Sequence, residues 1–232
     1  MAIADPIDER DVLDFGKIAL MEVWGSNHSP AVAARTSYRS DASQHTDEQN
    51  DKLIRYLMKH NHSTPLEFCG AVFYCVMPIF VARQWVRHRT ASINEESLRY
   101  VEARREFYIP QLDRMQKQST SNKQGSSPEC IGSPESAATL MRDSNLRAFD
   151  TYDQLLDMGL ARELARSVLP LSTYTAWYWA CDMNNILKFL HLRLDPHAQY
   201  EIRVYAEAMA EMLTKQFPTI MDEFMKVTQS PD

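Results

Sequence analysis

Two runs of apolar and aromatic residues constrain this chain more than any other feature. AVFYCVM, directly after Gly70, is β-branched and aromatic and carries no charge, so it reads as a buried strand that Pro78 brings to a close. LSTYTAWYWAC alternates Tyr174, Ala176, Tyr178 and Ala180 with Thr173, Thr175, Trp177 and Trp179. Aromatics on both faces predict a strand covered on both sides. Helical patterns surround the two runs without strict strand–helix alternation. That predicts an α+β fold, a mixed sheet packed with helices, in one domain spanning 1–232.

The helices announce themselves through their ends. Thr46 opens a T-D-E-Q pattern that fits a capping box with Gln49, and Leu53, Tyr56 and Leu57 follow at helical spacing, predicting a helix over 47–59. Pro78 predicts a second helix to about His88, with Phe80, Val81 and Trp85 near one face. Ser133-Pro134 starts a third, carrying Leu140, Phe149, Tyr152 and Leu156, and Gly159 stops it. Asp182 caps a fourth that reaches about Arg193, with Ile186, Leu187 and Leu190 inward. Asp195-Pro196 caps a fifth, which ends before Pro218. The stretch from about 112 to 133 is polar, Ser-rich and aperiodic, which predicts a mobile insertion.

Composition removes several classes of function. Lys plus Arg is 25 against 31 for Asp plus Glu, a net charge of −6, which opposes bulk binding to nucleic acid or to a membrane surface. Cys69, Cys75, Cys130 and Cys181 show neither a C-x-x-C pair nor zinc-site spacing, so no metal site is expected. The 6 glycines build no G-x-G-x-x-G and no P-loop. Any bound phosphate must therefore be gripped by side chains. MAIADPIDERD lacks the basic-then-apolar pattern of a signal peptide, and the uncharged stretch 68–82 is interrupted by Pro78 and shorter than the ~20 residues of a spanning helix. A cytoplasmic, reduced setting is expected.

Chemistry concentrates in RQWVRHRTASINEESLRYVEARRE, residues 83–106. It holds six arginines and no lysine, the choice for planar, bidentate grip on phosphate or carboxylate. Arg87, His88 and Arg89 are consecutive at a predicted helix C-terminus, where a cation gains only ~0.3–1 kcal/mol. An anionic ligand would compensate them. Taken alone, an Arg-His-Arg reads as a solvated basic turn paired with Glu95, Glu96 and Glu102, and a nucleic-acid module using the window is opposed by the acidic net charge and the absence of an RRM, KH or helix-turn-helix signature.

Arg87-His88-Arg89, TASINEE and Ser97 match the RHR-x7-S signature of the flavin-dependent thymidylate synthases, and the window around them resembles that family closely. HSTPLEF (62–68) resembles its H-x-T/S-P-x-E segment, and ARSVLPLSTYT and FLHLRLDPHAQYEI resemble its C-terminal half. The resemblance implies a homotetramer that makes dTMP from dUMP, with methylenetetrahydrofolate as carbon donor, NADPH as reductant, FAD as cofactor and sites shared between chains. It also implies roles by position. Gln84, Trp85, Val86, Arg87, Glu95, Glu96, Ser97, Leu98, Arg99, Arg166 and Arg193 match the dUMP clamp. His62, Thr64, Glu67, Arg87, His88, Arg89, Asn94, Glu95, Asp182, Met183, Asn184, Lys188 and His197 match flavin positions. Arg193 matches the catalytic arginine, whose charge would stabilise the anion developing on the pyrimidine. Ser97 has no Ser-His-Asp pattern about it and reads as a phosphate contact. The chain departs from its relatives at Asp182 and Asn184, where several carry Asn and then Arg or His, and Lys188 restores part of that positive charge. A flavoprotein of this architecture that only oxidises NADPH is the other reading, and the intact arginines of the pyrimidine clamp oppose it.

Overall fold

The computed structural model describes residues 5–39 and 44–229. In chain order come β1 (Asp8–Val12), β2 (Gly16–Trp24), α1 (Ser29–Arg35), α2 (Asp47–Lys59), β3 (Gly70–Pro78), α3 (Ile79–Trp85) and β4 (Ser92–Glu95). Next are β5 (Gln116–Gln118), β6 (Ser126–Cys130), α4 (Pro134–Asp157) and α5 (Arg162–Ala165). The chain continues with β7 (Tyr174–Asp182), α6 (Met183–Arg193), α7 (Tyr200–Gln216) and α8 (Pro218–Gln229).

The two apolar runs, β3 and β7, pair with each other from Gly70 opposite Asp182 to Pro78 opposite Tyr174. They lie at the middle of a five-stranded sheet ordered β1-β2-β3-β7-β4. The fold is α+β as expected, but every pairing in this sheet is antiparallel where a mixed sheet was predicted. The α1–α2 excursion explains it: the chain re-enters the sheet with Gly70 opposite Trp24, the end from which β2 left, so β3 must run back along β2.

One face of the central pair packs against helices. Phe73, Cys75, Trp177, Trp179 and Cys181 lie under Trp85 of α3, Phe189 of α6 and Tyr205 of α7, all buried. Trp85 stacks on Phe189 with ring centroids 4.6 Å apart, and meets Trp177 and Trp179 edge-on at 5.7 Å each. Each large apolar side chain buried there contributes ~1.5–3 kcal/mol, and edge-to-face geometry adds ~0.5–1.5 kcal/mol per aromatic pair. The other face is covered only at one end, by a small cluster of Val76, Tyr108, Tyr174 and Ala176. Farther along, Tyr74 and Tyr178 pair at 5.2 Å and Tyr178 stays 37% exposed, so the expected cover on both sides is half realised in the single chain.

Most helix ends fall where their caps predict. Thr46 and Gln49 form a reciprocal capping box on α2, although Ile54 and Leu57 make its buried stripe and Tyr56 faces solvent. Gly159, at φ +83°, follows the end of α4, and Asp182 accepts the Asn185 amide at 3.1 Å to start α6. Three expectations need correction, and one helix was not foreseen. α3 stops at Trp85 instead of His88. α7 begins at Tyr200, because Asp195 spends its carboxylate on the His197 amide at 2.7 Å in a local turn. Pro218 opens α8 as well as closing α7. The stretch read as an aperiodic insertion contains the β5–β6 hairpin.

Gly70 opens β3 where a Cβ would overlap the Trp24 ring and the Cys181 carbonyl. Gly70→Ala is expected to cost ~1–3 kcal/mol through overpacking, and calorimetry should show Tm lowered by roughly 2–12 °C.

Candidate functional site

Sheet and helix dimensions bring the cationic groups together. β3 hands over to α3 at Pro78 and β7 to α6 at Asp182, and these points lie at opposite ends of the antiparallel pair. The two helices therefore start apart and run toward each other across the buried face. At ~1.5 Å per residue, α3 and α6 are ~10 and ~16 Å long, which together match the ~27 Å of a nine-residue strand. Their C-termini meet. The His88 ring stands edge-on to Phe189 at 5.0 Å, and Arg193 Nε donates to His88 Nε2 at 3.1 Å.

That hydrogen bond requires a neutral imidazole. Burial, with the Arg193 charge adding to it, holds His88 down at about 4, so its Nε2 keeps the lone pair that accepts from the guanidinium. Arg193 is itself part-buried, and desolvation lowers its pKa. Among the described residues no carboxylate reaches it within ion-pair distance. The acids that a solvated basic turn would need are engaged elsewhere: Glu95 accepts the Thr175 hydroxyl at 2.7 Å, Glu96 pairs with Arg104 at 2.8 Å, and Glu102 with Arg162 at 3.0 Å. Arg87 and Arg89 stand exposed beside this junction with no described carboxylate within 4.0 Å. Gln84 Oε1 is buried without a hydrogen-bond partner.

A second group forms around Glu163 of α5. Its carboxylate lies 3.8 Å from Arg99 Nε, and its backbone carbonyl accepts Arg166 Nε at 3.4 Å. Ser97 Oγ takes the Arg99 amide at 3.3 Å and has no histidine partner, so it is not set up as a nucleophile. A third group follows α2. The buried Asn184 donates to Glu67 Oε1 at 3.4 Å, and His62, Asn184 and Lys188 edge a largely apolar groove of about 660 Å³ whose walls include Leu57, Leu187 and Phe224. Thr64 and Glu67 lie exposed on the 3-10 turn beside it.

The remaining predicted residues separate from these groups. The Trp85 and Met183 side chains are fully buried in the core, so neither can touch a ligand except through its backbone. Val86 and Asn94 are exposed, Asn94 on β4 opposite Tyr178, and Leu98 is part-buried. Asp182 is consumed as the α6 cap, and His197 is exposed and paired with Asp195 at 3.0 Å, facing a different groove. Two residues that matter here escaped the sequence reading. Phe189 carries the periodic signal of any core position, and Glu163 sits far in sequence from the arginines it joins.

Comparison with known proteins gives a consistent result. A family model described as "Thymidylate synthase complementing protein" matches residues 19–219. The chain is 46% identical over 221 residues to a flavin-dependent thymidylate synthase of Wolbachia pipientis wMel, covering 94% of this chain and 77% of that protein. It is 45% identical over 218 residues to one of Gluconobacter oxydans (strain 621H), covering 92% and 71%. Among solved structures, a UMP/dUMP methylase PolB from Streptomyces cacaoi bound with 5-Br dUMP superposes with a TM-score of 0.83 at 32% identity, covering 91% of this chain and 95% of that one.

The His88–Arg193 pair makes a prediction of its own. An imidazole at about 4 in the fold and 6.5 when unfolded binds more protons in the unfolded chain between those values. Its contribution to stability is complete above pH 6.5 and is lost as pH falls toward about 4. NMR titration should find the His88 ring neutral from pH 5 to 8 and its midpoint moved upward in Arg193→Ala. A midpoint near 6.5 in the unaltered protein refutes the assignment.

Proposed function

The chain belongs to the flavin-dependent thymidylate synthase family, whose model covers residues 19–219, and on that premise we propose that it makes dTMP from dUMP by reductive methylation. Methylenetetrahydrofolate gives the carbon and NADPH the electrons. The observation that carries the reading is Arg193, a part-buried guanidinium held by a neutral histidine and facing no carboxylate. Such a group is prepared for an anion that appears only during reaction.

The donor set fits FAD. Among the described residues Arg87 and Arg89 have no carboxylate partner, as a chain without a glycine cradle needs for gripping a pyrophosphate. His62, Thr64, Asn184 and Lys188 border an apolar groove suited to a ring system. When bound, the flavin accepts electrons from NADPH and supplies the hydride that reduces the transferred carbon. The Asp182 carboxylate, bonded to the Asn185 amide at 3.1 Å and to its side chain at 2.7 Å, is taken up inside the helix cap and does not oppose the cofactor's charge.

The protein's own groups do the rest by binding and polarisation. Arg99, Arg166 and the Ser97 turn hold the nucleotide phosphate and base, and the orphaned Gln84 Oε1 is a spare acceptor for a base N–H. Arg193 stabilises negative charge on the pyrimidine at N3 and O4, making C5 nucleophilic without a covalent adduct. The cysteines agree with that route. Burial pushes the Cys69 thiol up to about 12 and raises Cys75 and Cys181 as well, leaving these three as thiols and not attacking thiolates.

The assembly we assign is a homotetramer with sites shared between chains. The outward Tyr74–Tyr178 pair, with Tyr178 37% exposed, offers a face for a neighbour. A cytoplasmic setting is supported by four free cysteines, and among the described residues no helix is long and apolar enough to cross a membrane. Nucleic acid is an unsuited partner because Arg99, Arg104 and Arg105 are each paired with acids, breaking the basic window into islands.

Purified protein should be yellow, and dTMP should form only when dUMP, methylenetetrahydrofolate and NADPH are supplied together. Arg193→Ala should lower kcat by about 10²–10³-fold while retaining FAD absorbance, the size expected for one preorganised donor. Unchanged turnover removes Arg193 from the chemistry. Ser97→Ala should keep partial activity with a raised KM for dUMP.

A further inference from the structure

The β5–β6 hairpin has no part in the three groups described above, yet it forms one wall of an open groove of about 940 Å³. The opposite wall is residues 196–203, the segment that follows Arg193 and enters α7. Three cations line the groove: Arg114, Lys117 and Arg203. Glu201, the one carboxylate among the described lining residues, accepts from the Tyr108 hydroxyl at 3.1 Å and the Gln199 side-chain amide at 2.9 Å and lies 3.9 Å from Arg114 Nη2, so it offsets part of one cation and leaves the other two unopposed within the wall. Arg114 has a buried Nε with no hydrogen-bond partner, and its Nη1 donates to Gln116 at 2.9 Å. Lys117 pairs with Glu129, and Arg203 with Glu207 at 3.4 Å, both partners lying outside the groove wall. Exposed pairs of this kind are weak and exchange readily for another carboxylate. α7 also begins at this wall without a side-chain cap, so the positive end of its dipole adds to the same field.

The walls define the ligand further. Tyr200 is the single Tyr, Phe or Trp among them, and its ring is occupied by guanidiniums, Arg114 at 4.6 Å and Arg203 at 5.8 Å. Among the described lining residues no Tyr, Phe or Trp ring is left for a purine to stack on, and the exposed His197 ring is tethered to Asp195 at 3.0 Å. The rest of the hairpin wall is Ser, Thr, Asn and Gln, which suits an extended, solvated, amide-linked chain bearing carboxylates. Among the substrates of the proposed reaction, the γ-linked glutamate tail of the folate has that chemistry.

We propose that this groove binds the polyglutamate tail of methylenetetrahydrofolate, whose one-carbon end works at the pyrimidine beside Arg193. The inference rests on the folate chemistry of the proposed function. The hairpin is then a substrate-binding arm that selects longer folate tails.

Steady-state kinetics with mono- and tetraglutamyl methylenetetrahydrofolate test it. The unaltered enzyme should show a KM about tenfold lower for the tetraglutamate, weakening as salt is raised. Lys117→Gln, on the exposed hairpin, and Arg203→Gln should each remove about threefold of that preference, with kcat and the KM for dUMP and NADPH unchanged. Calorimetric binding of tetraglutamyl folate should weaken in parallel. Equal KM values for the two folates, or a preference untouched in both variants, overturn the proposal. So does a rise in the KM for NADPH alone, which would place a nucleotide phosphate in the groove. Absence of any dTMP from the unaltered enzyme would instead strike the proposed function, so the two failures are distinguishable.

Discussion

Because β3 and β7 run antiparallel, the helices that continue them begin at opposite ends of the sheet and finish facing each other, and the stacked Trp85 and Phe189 fix how closely they do so. The position of Arg193 relative to the Arg87-His88-Arg89 turn is thus an outcome of strand pairing and helix length, not of local loop structure. A site mounted on packed helix ends loses little entropy on binding, since the aromatic layer beneath has already ordered it. The same layer excludes water from one side of His88. That exclusion lowers the imidazole's affinity for a proton and so preserves it as an acceptor for Arg193.

The distribution of acids follows a related logic. The chain is acidic overall, so unpaired arginines cannot be explained by a shortage of carboxylates. Arg104, Arg105 and Arg162, around the outer edge of the basic window, each take an acid partner. Arg87, Arg89 and Arg193, at the junction of the two helices, have no described acid within reach. Two helix C-termini converge there and favour cations, but by ~0.3–1 kcal/mol each, too little to neutralise three neighbouring positive groups. A cluster maintained in that condition is stored electrostatic free energy that an anionic ligand releases on binding.

How much of this was legible in the sequence depends on which physical signal carried it. Caps are local, so Thr46 and Asp182 placed the starts of α2 and α6 correctly. Uncharged aromatic runs are dominated by burial, so both central strands were legible too. β1 reads DERDV and was missed because an edge strand needs charge to discourage further pairing, which erases the alternation used to recognise strands. β4, SINE, is a strand only because Trp177 to Ala180 lie opposite it. β5 and β6 are polar on both faces and likewise owe their structure to each other. Within the site, the RHR turn was legible because its residues are consecutive. The Arg99–Glu163–Arg166 arrangement and the Phe189 platform were not, since they exist only after the chain has folded.

At Asp182 and Asn184, where the family resemblance implies Asn and then a cation, one segment can satisfy the fold and the proposed site separately. Asn and Asp are about equally good N-caps, so exchanging one for the other leaves the start of α6 unaffected. The new charge is then contained: both carboxylate oxygens accept from Asn185, at the positive end of the helix. Asn184 is buried and turns its amide to Glu67, tying α6 to the 3-10 turn that carries Thr64. Lys188, one turn further along α6, is exposed and edges the groove beside His62, with its ammonium donating only a long 3.5 Å contact to Asn185 Oδ1. A flexible lysine at that distance can follow a phosphate that a shorter, fixed side chain could not reach.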